Sequence, residues 1–133
     1  KFIAVLENFK YVFRGGRAPF LGRFISSIIR FMPILTIGSN GKVQLKKFVR
    51  NKESGIIEIF KQTKALISCS ENNKIGIFYG SDISPALKLE KMIREDKSIK
   101  TDEIILTEIT TIMVAHTGPG IFGVAVTNCP NLE

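Results

Sequence analysis

The residues best equipped for chemistry lie in one short run, His116-Thr117-Gly118-Pro119-Gly120. His116 is the only histidine. Two glycines around a proline let a backbone approach a ligand closely and can turn N–H groups toward an anion. The same residues also suit a tight turn ahead of an edge strand. A second run, Gly15-Gly16-Arg17, joins two apolar segments. A helix that begins near Pro19-Phe20 would offer a positive N-terminus there, and Arg17 adds a planar fork of donors suited to carboxylate or phosphate. A plain helix–helix turn with a solvated arginine fits the same pattern. Arg50, after a basic segment, carries the same two readings.

Other chemistries find little purchase. One histidine gives no histidine pair, and Cys69 and Cys129 are far from metal-ligand spacing. Both read as small apolar fillers, and two cysteines imply a reducing compartment. No phosphate-binding loop of the Gly-x-x-x-x-Gly-Lys-Ser type and no dinucleotide fingerprint occurs. No cofactor or metal is expected.

These residues need elements to hold them. Phe2, Val5, Leu6, Phe9, Val12 and Phe13 recur at steps of three and four, which predicts a helix to Arg14, stopped by Gly15-Gly16. Phe20 to Phe31 predicts a second helix, with Phe20, Phe24, Ile28 and Phe31 on one stripe, ended by Pro33. That stripe is wider than a core face needs, and could line a lipid tail or meet another domain. Residues 33–37 and 42–49 read as a hairpin about Ser39-Asn40-Gly41, with Val43, Leu45 and one of Phe48 or Val49 turned inward. A helix follows over Lys52–Leu66, a strand over Lys74–Gly80, and a helix capped by Ser84 with Leu87, Leu89, Met92 and Ile93 inward. A strand over Glu103–Ile109, a short helix over Thr110–Ala115, a loop at His116–Gly120 and a strand over Ile121–Val126 complete the order. The expected class is α/β, a mixed sheet with at least one antiparallel hairpin, covered by helices.

At 133 residues the chain suits one domain. It starts at Lys1 with no Met before it, and reads as a piece of something longer. Its charge is lopsided. Residues 1–50 hold ten Lys or Arg against Glu7 alone, or +9; residues 51–133 hold nine against eleven acids, or −2. Such a field steers anionic partners, nucleic acid among them, although no groove-reading motif is present. Thr110–Leu132 is uncharged, but its His116, Gly-Pro-Gly and Pro130 do not suit a membrane helix, and no export signal is evident.

Together, Gly15-Gly16-Arg17, Pro33-Ile34-Leu35, Asn40-Gly41-Lys42, Val49-Arg50 and His116-Thr117-Gly118-Pro119-Gly120 resemble the C-terminal domain of the DegV family of fatty-acid-binding proteins. The resemblance spans nearly the whole chain. It implies that residues 1–133 are the single C-terminal lipid-binding domain of a two-domain cytoplasmic bacterial protein whose N-terminal domain is absent from this chain. It further implies a long-chain fatty acid held between the two domains and presented to a separate fatty acid kinase, so that the domain itself is no enzyme. By the same resemblance His116, with Thr117 and Gly118, lies near the carboxylate. Phe20, Phe24 and Ile28 line the tail. Arg17 and Arg50 belong to the kinase-facing surface, Arg17 also lying near the ligand. Ala18-Pro19 departs from the isoleucine-plus-small pair common after that arginine. A basic nucleic-acid-binding domain is the alternative.

Overall fold

The structure, a computed structural model, describes residues 1–14, 31–67 and 73–128. The apolar run Phe2–Leu6 has no polar break, the pattern of a strand buried on both faces. It forms strand β1 (Phe2–Val5), with Ile3 and Val5 packed to one side and Ala4 to the other. The expected helix over this stretch is therefore confined to α1 (Lys10–Arg14). Ile3 and Ala4 explain the change: a one-sided helix would expose them, whereas a central strand buries both. Asn8 marks the switch, its Oδ1 accepting from the Lys10 amide at 3.0 Å.

Strands β2 (Met32–Ile37) and β3 (Val43–Val49) form the expected hairpin, with Gly41 at φ 73° in the turn. Strict alternation fails in β3. Ile34 pairs with Lys47 but Leu35 pairs with Leu45, leaving Lys46 as an extra residue. This bulge turns Leu45 and Phe48 to the same side of the sheet. Val49 packs on the other side. Both Phe48 and Val49 thus face inward, on opposite faces, while Val43, on the Leu45 side, is only partly covered, at 37% exposure.

Helix α2 (Lys52–Leu66) opens on a reciprocal cap. The Ser54 amide donates to Asn51 Oδ1 at 2.9 Å, and the Asn51 amide donates to Ser54 Oγ at 3.1 Å. Strand β4 (Asn73–Tyr79), helix α3 (Ser84–Glu95) and strand β5 (Glu103–Glu108) form a parallel crossover. Ser84 is the first residue of α3 rather than its cap, and its amide bonds Asp82 Oδ1 at 3.0 Å. The helix buries Ala86, Leu89 and Ile93, spaced three and four apart; Leu87 falls off that stripe and faces outward. Helix α4 (Thr111–Thr117) leads to strand β6 (Phe122–Asn128).

The six strands form one sheet in the order β3-β2-β1-β6-β4-β5, antiparallel except for β4 and β5. Helices α2 and α3 seal one face over Ile3, Val5, Ile75, Ile77, Phe122 and Val124. The other face gathers Ala4, Leu6, Leu35, Phe78 and Ile121 with Phe9 and Val12 of the α1 region. Among the described residues no helix is long and apolar enough to cross a membrane.

The helix–sheet packing and the surface ion pairs each make a measurable contribution to stability. Gly55 brings α2 against the sheet: a Cβ there would sit 3.1 Å from Val5 and 3.3 Å from Phe122. Gly55→Val should destabilise the fold by roughly 1–3 kcal/mol through overpacking, measured by denaturant unfolding, and more than Gly55→Ala. The ion-pair contribution depends on pH. Asp82 is held down at about 2 by Lys52 and then Ser84, and Asp96 at about 2 by Lys64 and then Ser98, both from 3.8. A lowered folded pKa adds stability above 3.8 that is lost as pH falls toward 2. The wild-type Tm should fall more steeply through that window than the Tm of the Asp82→Asn, Asp96→Asn double variant.

Candidate functional site

The site is built where α4 ends and β6 begins. The Gly118 amide still bonds Val114 O at 2.7 Å, so the helix continues through His116 and Thr117. The loop expected over His116–Gly120 is therefore shorter, Gly118 to Gly120. Gly118 has φ 89°, which removes it from the helix and favours glycine. The strand that follows is not an edge: β6 lies between β1 and β4.

Close packing explains both glycines of the turn. A Cβ at Gly118 would come within 2.6 Å of the Tyr11 ring, and one at Gly120 within 2.6 Å of the Glu7 carboxylate. The end of β4 ties the turn down as well. Ser81 donates its amide to Pro119 O at 2.8 Å, and Gly80 donates to Ile121 O at 2.8 Å. Gly80 has no room for a side chain either, since a Cβ would meet Pro119 O at 2.3 Å. Tyr11 and Glu7 are thus part of the site, and sequence patterning passed over both. The available signals were Glu7 as the sole acid of residues 1–50 and Tyr11 as a polar-tipped ring in a phenylalanine-rich stretch.

Helix α4 is unusual in burying no residue. Ile112 is 73% exposed and Met113 41%. Met113, His116 and Thr117 are three and four residues apart and share one side of the helix. Thr117 Oγ1 donates to Met113 O at 2.7 Å, so its hydroxyl must turn over to donate to a ligand. Beneath Met113 and Thr117 lies an apolar cavity of about 150 Å³, walled by Phe2, Ala4, Leu35 and Ile121 of the sheet. His116 is half-buried beside it in the chain.

Arg50 is exposed and follows β3 directly. Val49 pairs with Met32, and Val5 pairs with both Ile34 and Phe122, so Arg50 and the Gly118–Gly120 turn lie at the same end of the sheet. Three strand spacings separate β3 from β6, about 14 Å. Arg50 borders an open groove of about 670 Å³ with Phe31, Lys47, Ile57 and Lys61. Glu58 at its side has a lowered pKa, through its bond from Gln62 first and from Lys47 next. Arg17, Phe20, Phe24 and Ile28, with Cys69 and Cys129, lie outside the described residues. Among the described residues no group of three or more His, Cys, Asp or Glu side chains could hold a metal ion.

Fold and site together define an α/β domain with one sealed sheet face and an apolar cavity beneath a glycine-terminated helix on the other. Comparison with known proteins gives this class a family. Residues 1–128 match the family model described as uncharacterised protein, DegV family, and the chain belongs to that family. A DegV domain-containing protein of Staphylococcus aureus (strain MRSA252) is 26% identical over 126 residues, 95% of this chain and 44% of that protein. The chain thus spans less than half the length of this relative. The fold matches a DegV family protein from Thermus thermophilus, solved as a fatty-acid-binding protein, with a TM-score of 0.86 and 20% identity over 97% of this chain and 45% of that one. A DegV family protein from Eubacterium eligens loaded with heptadecanoic acid gives a TM-score of 0.78 at 14% identity, over 97% of this chain and 45% of that one.

Gly118→Ala should cost roughly 1–3 kcal/mol of stability, from the positive φ and the clash with Tyr11. Adding Tyr11→Ala should recover the steric part and leave the backbone part. A double-mutant cycle by urea unfolding reads the coupling; additive losses would mean that Tyr11 does not pack on the turn.

Proposed function

We propose that this chain forms one wall of a long-chain fatty-acid site and acts as a binding module, not as an enzyme. The observation that carries the reading is the apolar cavity under α4, bordered by Thr117 and lying next to His116 in the chain. An apolar slot with a few polar groups at one end is the form a fatty acid requires. His116 would donate to the carboxylate in either charge state, with Thr117 and the Gly118 backbone beside it. Membership of the DegV family supports this, since relatives of the same fold are described as fatty-acid-binding.

The cavity is too small for a whole tail. A space of roughly 150 Å³ takes a benzene-sized group, enough for the end of an acyl chain. The rest of the tail would run along the exposed Ile112 and Met113 side of α4, with further cover from Phe20, Phe24 and Ile28 and from a second, N-terminal domain. Arg50, with Arg17, would form the basic face that meets a separate cytoplasmic fatty acid kinase, the carboxylate being presented to it for phosphorylation.

The test is native mass spectrometry of the full polypeptide that carries these residues, followed by fatty-acid titration. Co-purifying fatty acid is expected, and the 133-residue chain alone should bind more weakly, because part of the tail would face water. His116→Ala should weaken binding of the carboxylate by about 1–3 kcal/mol, the range for a hydrogen bond to a charged group. Arg50→Ala should leave the Tm and lipid affinity nearly unchanged and slow the kinase-coupled reaction, increasingly so at low salt. Absence of lipid, with salt-sensitive binding of DNA or RNA, would overturn the reading in favour of a nucleic-acid partner.

A further inference from the structure

The sheet face beneath α4 carries two adjoining hollows. The first is the 150 Å³ apolar cavity already described. The second, of about 610 Å³, opens toward the far end of the same face over Gly76, Ile105, Ala125 and Thr127. Phe2 and Ile37 line both hollows, so these two side chains stand between them. The Phe2 ring is fixed in that position. It stacks on Phe78 with centroids 4.9 Å apart and planes inclined by 7°. Its backbone is pinned on both sides, by pairing with Ala125 and by the Thr36 hydroxyl donating to Phe2 O at 2.7 Å. The floor on the far side is unusually low, because Gly76 and Ala125 are the paired residues there.

We propose that Phe2 is the residue that sets acyl-chain length, by closing the inner end of the cavity against the groove beyond. The inference rests on the fatty-acid reading of the site and deepens it. With its carboxylate at His116 and its middle along the Ile112 and Met113 side of α4, a chain would turn in beneath Met113, and its methyl end would advance over Ala4 until it meets the Phe2 ring. An additional carbon could enter the cavity only by displacing a ring held by stacking, whereas each methylene buried there without that obstacle would strengthen binding about fourfold. Beyond the ring lies room for several more carbons, so removing it converts a stop into a passage. Truncation to alanine removes a six-carbon ring, comparable to the benzene-sized space of the cavity itself.

The experiment measures affinity for the saturated series from dodecanoate to eicosanoate, using the full polypeptide that carries these residues. Phe2→Ala should move the preferred length up by about two to four carbons, and chains past the wild-type optimum should gain on the order of tenfold or more. Ala4→Val, which adds volume inside the cavity at a strand position, should move the preference down by about one or two carbons. Phe2→Leu, a smaller truncation at the same strand position, should move the preference up by about one or two carbons and keeps the test decisive if Phe2→Ala does not fold. Binding by the wild type with an unchanged length profile in a folded Phe2 variant would overturn the role of Phe2 while leaving the fatty-acid site in place. Absence of binding at every length in the wild type would overturn both.

Discussion

The structure depends on the pairing of the first and last of its described strands. Phe2–Val5 and Phe122–Ala125 lie side by side at the centre of the sheet, although some 120 residues separate them. Every other strand is added outward from this pair. The contact is unusually close. At Gly123 a Cβ would fall 2.2 Å from Ile3 O and 2.6 Å from the Phe78 ring. A glycine in a central strand normally weakens it. Here its missing side chain leaves the space in which Phe78 lies against the sheet and stacks on Phe2.

That constraint also positions the site. The Gly118–Gly120 turn enters β6 at the end where Val5 pairs with Phe122, and Glu7 follows Val5 by two residues. Tyr11 follows on α1. The side chains that crowd Gly118 and Gly120 therefore arrive through β1, and the turn arrives through β6. Changing the register of this pair by one residue would reverse the faces of Ile3, Ala4 and Val5 and separate the turn from its supports. His116 and Thr117 are held by the same arrangement, as the last helical residues before the turn.

Much of this architecture was legible in the sequence, and the failures have specific causes. Asn40-Gly41 located the hairpin because a tight turn there requires a positive φ, and Gly41 has it. Residues 52–66 announced a helix through apolar spacing that tertiary packing then used. Residues 2–6 misled because steps of three and four coexist with an unbroken apolar run, and only the partners β2 and β6 decide between them. In β3 the bulge at Lys46 is a property of the pairing with Ile34 and Leu35, invisible in one strand alone. At the site, His116 and the two glycines stood out by type. Tyr11 and Glu7 did not, since their role is contact across roughly 110 residues of chain. The family resemblance added what periodicity could not, an order of motifs along the chain.

The two faces of the sheet have different energetic situations, and the difference bears on function. Over Ile75, Ile77 and Phe122, helices α2 and α3 bury Ile59, Ala86, Leu89 and Ile93 nearly completely. On the other face α4 buries none of its seven residues, and leaves Ile112 and part of Met113 in water above an apolar cavity. A helix this short has little intrinsic stability in water, and its tertiary support here comes largely from α1 and from the Gly118 turn. Covering apolar surface contributes about 25 cal/mol per Å² removed from water. The uncovered side of α4 therefore holds binding energy that folding of the described residues leaves unused. Its place directly before the Gly118 turn makes any apolar molecule that takes up that energy a neighbour of His116.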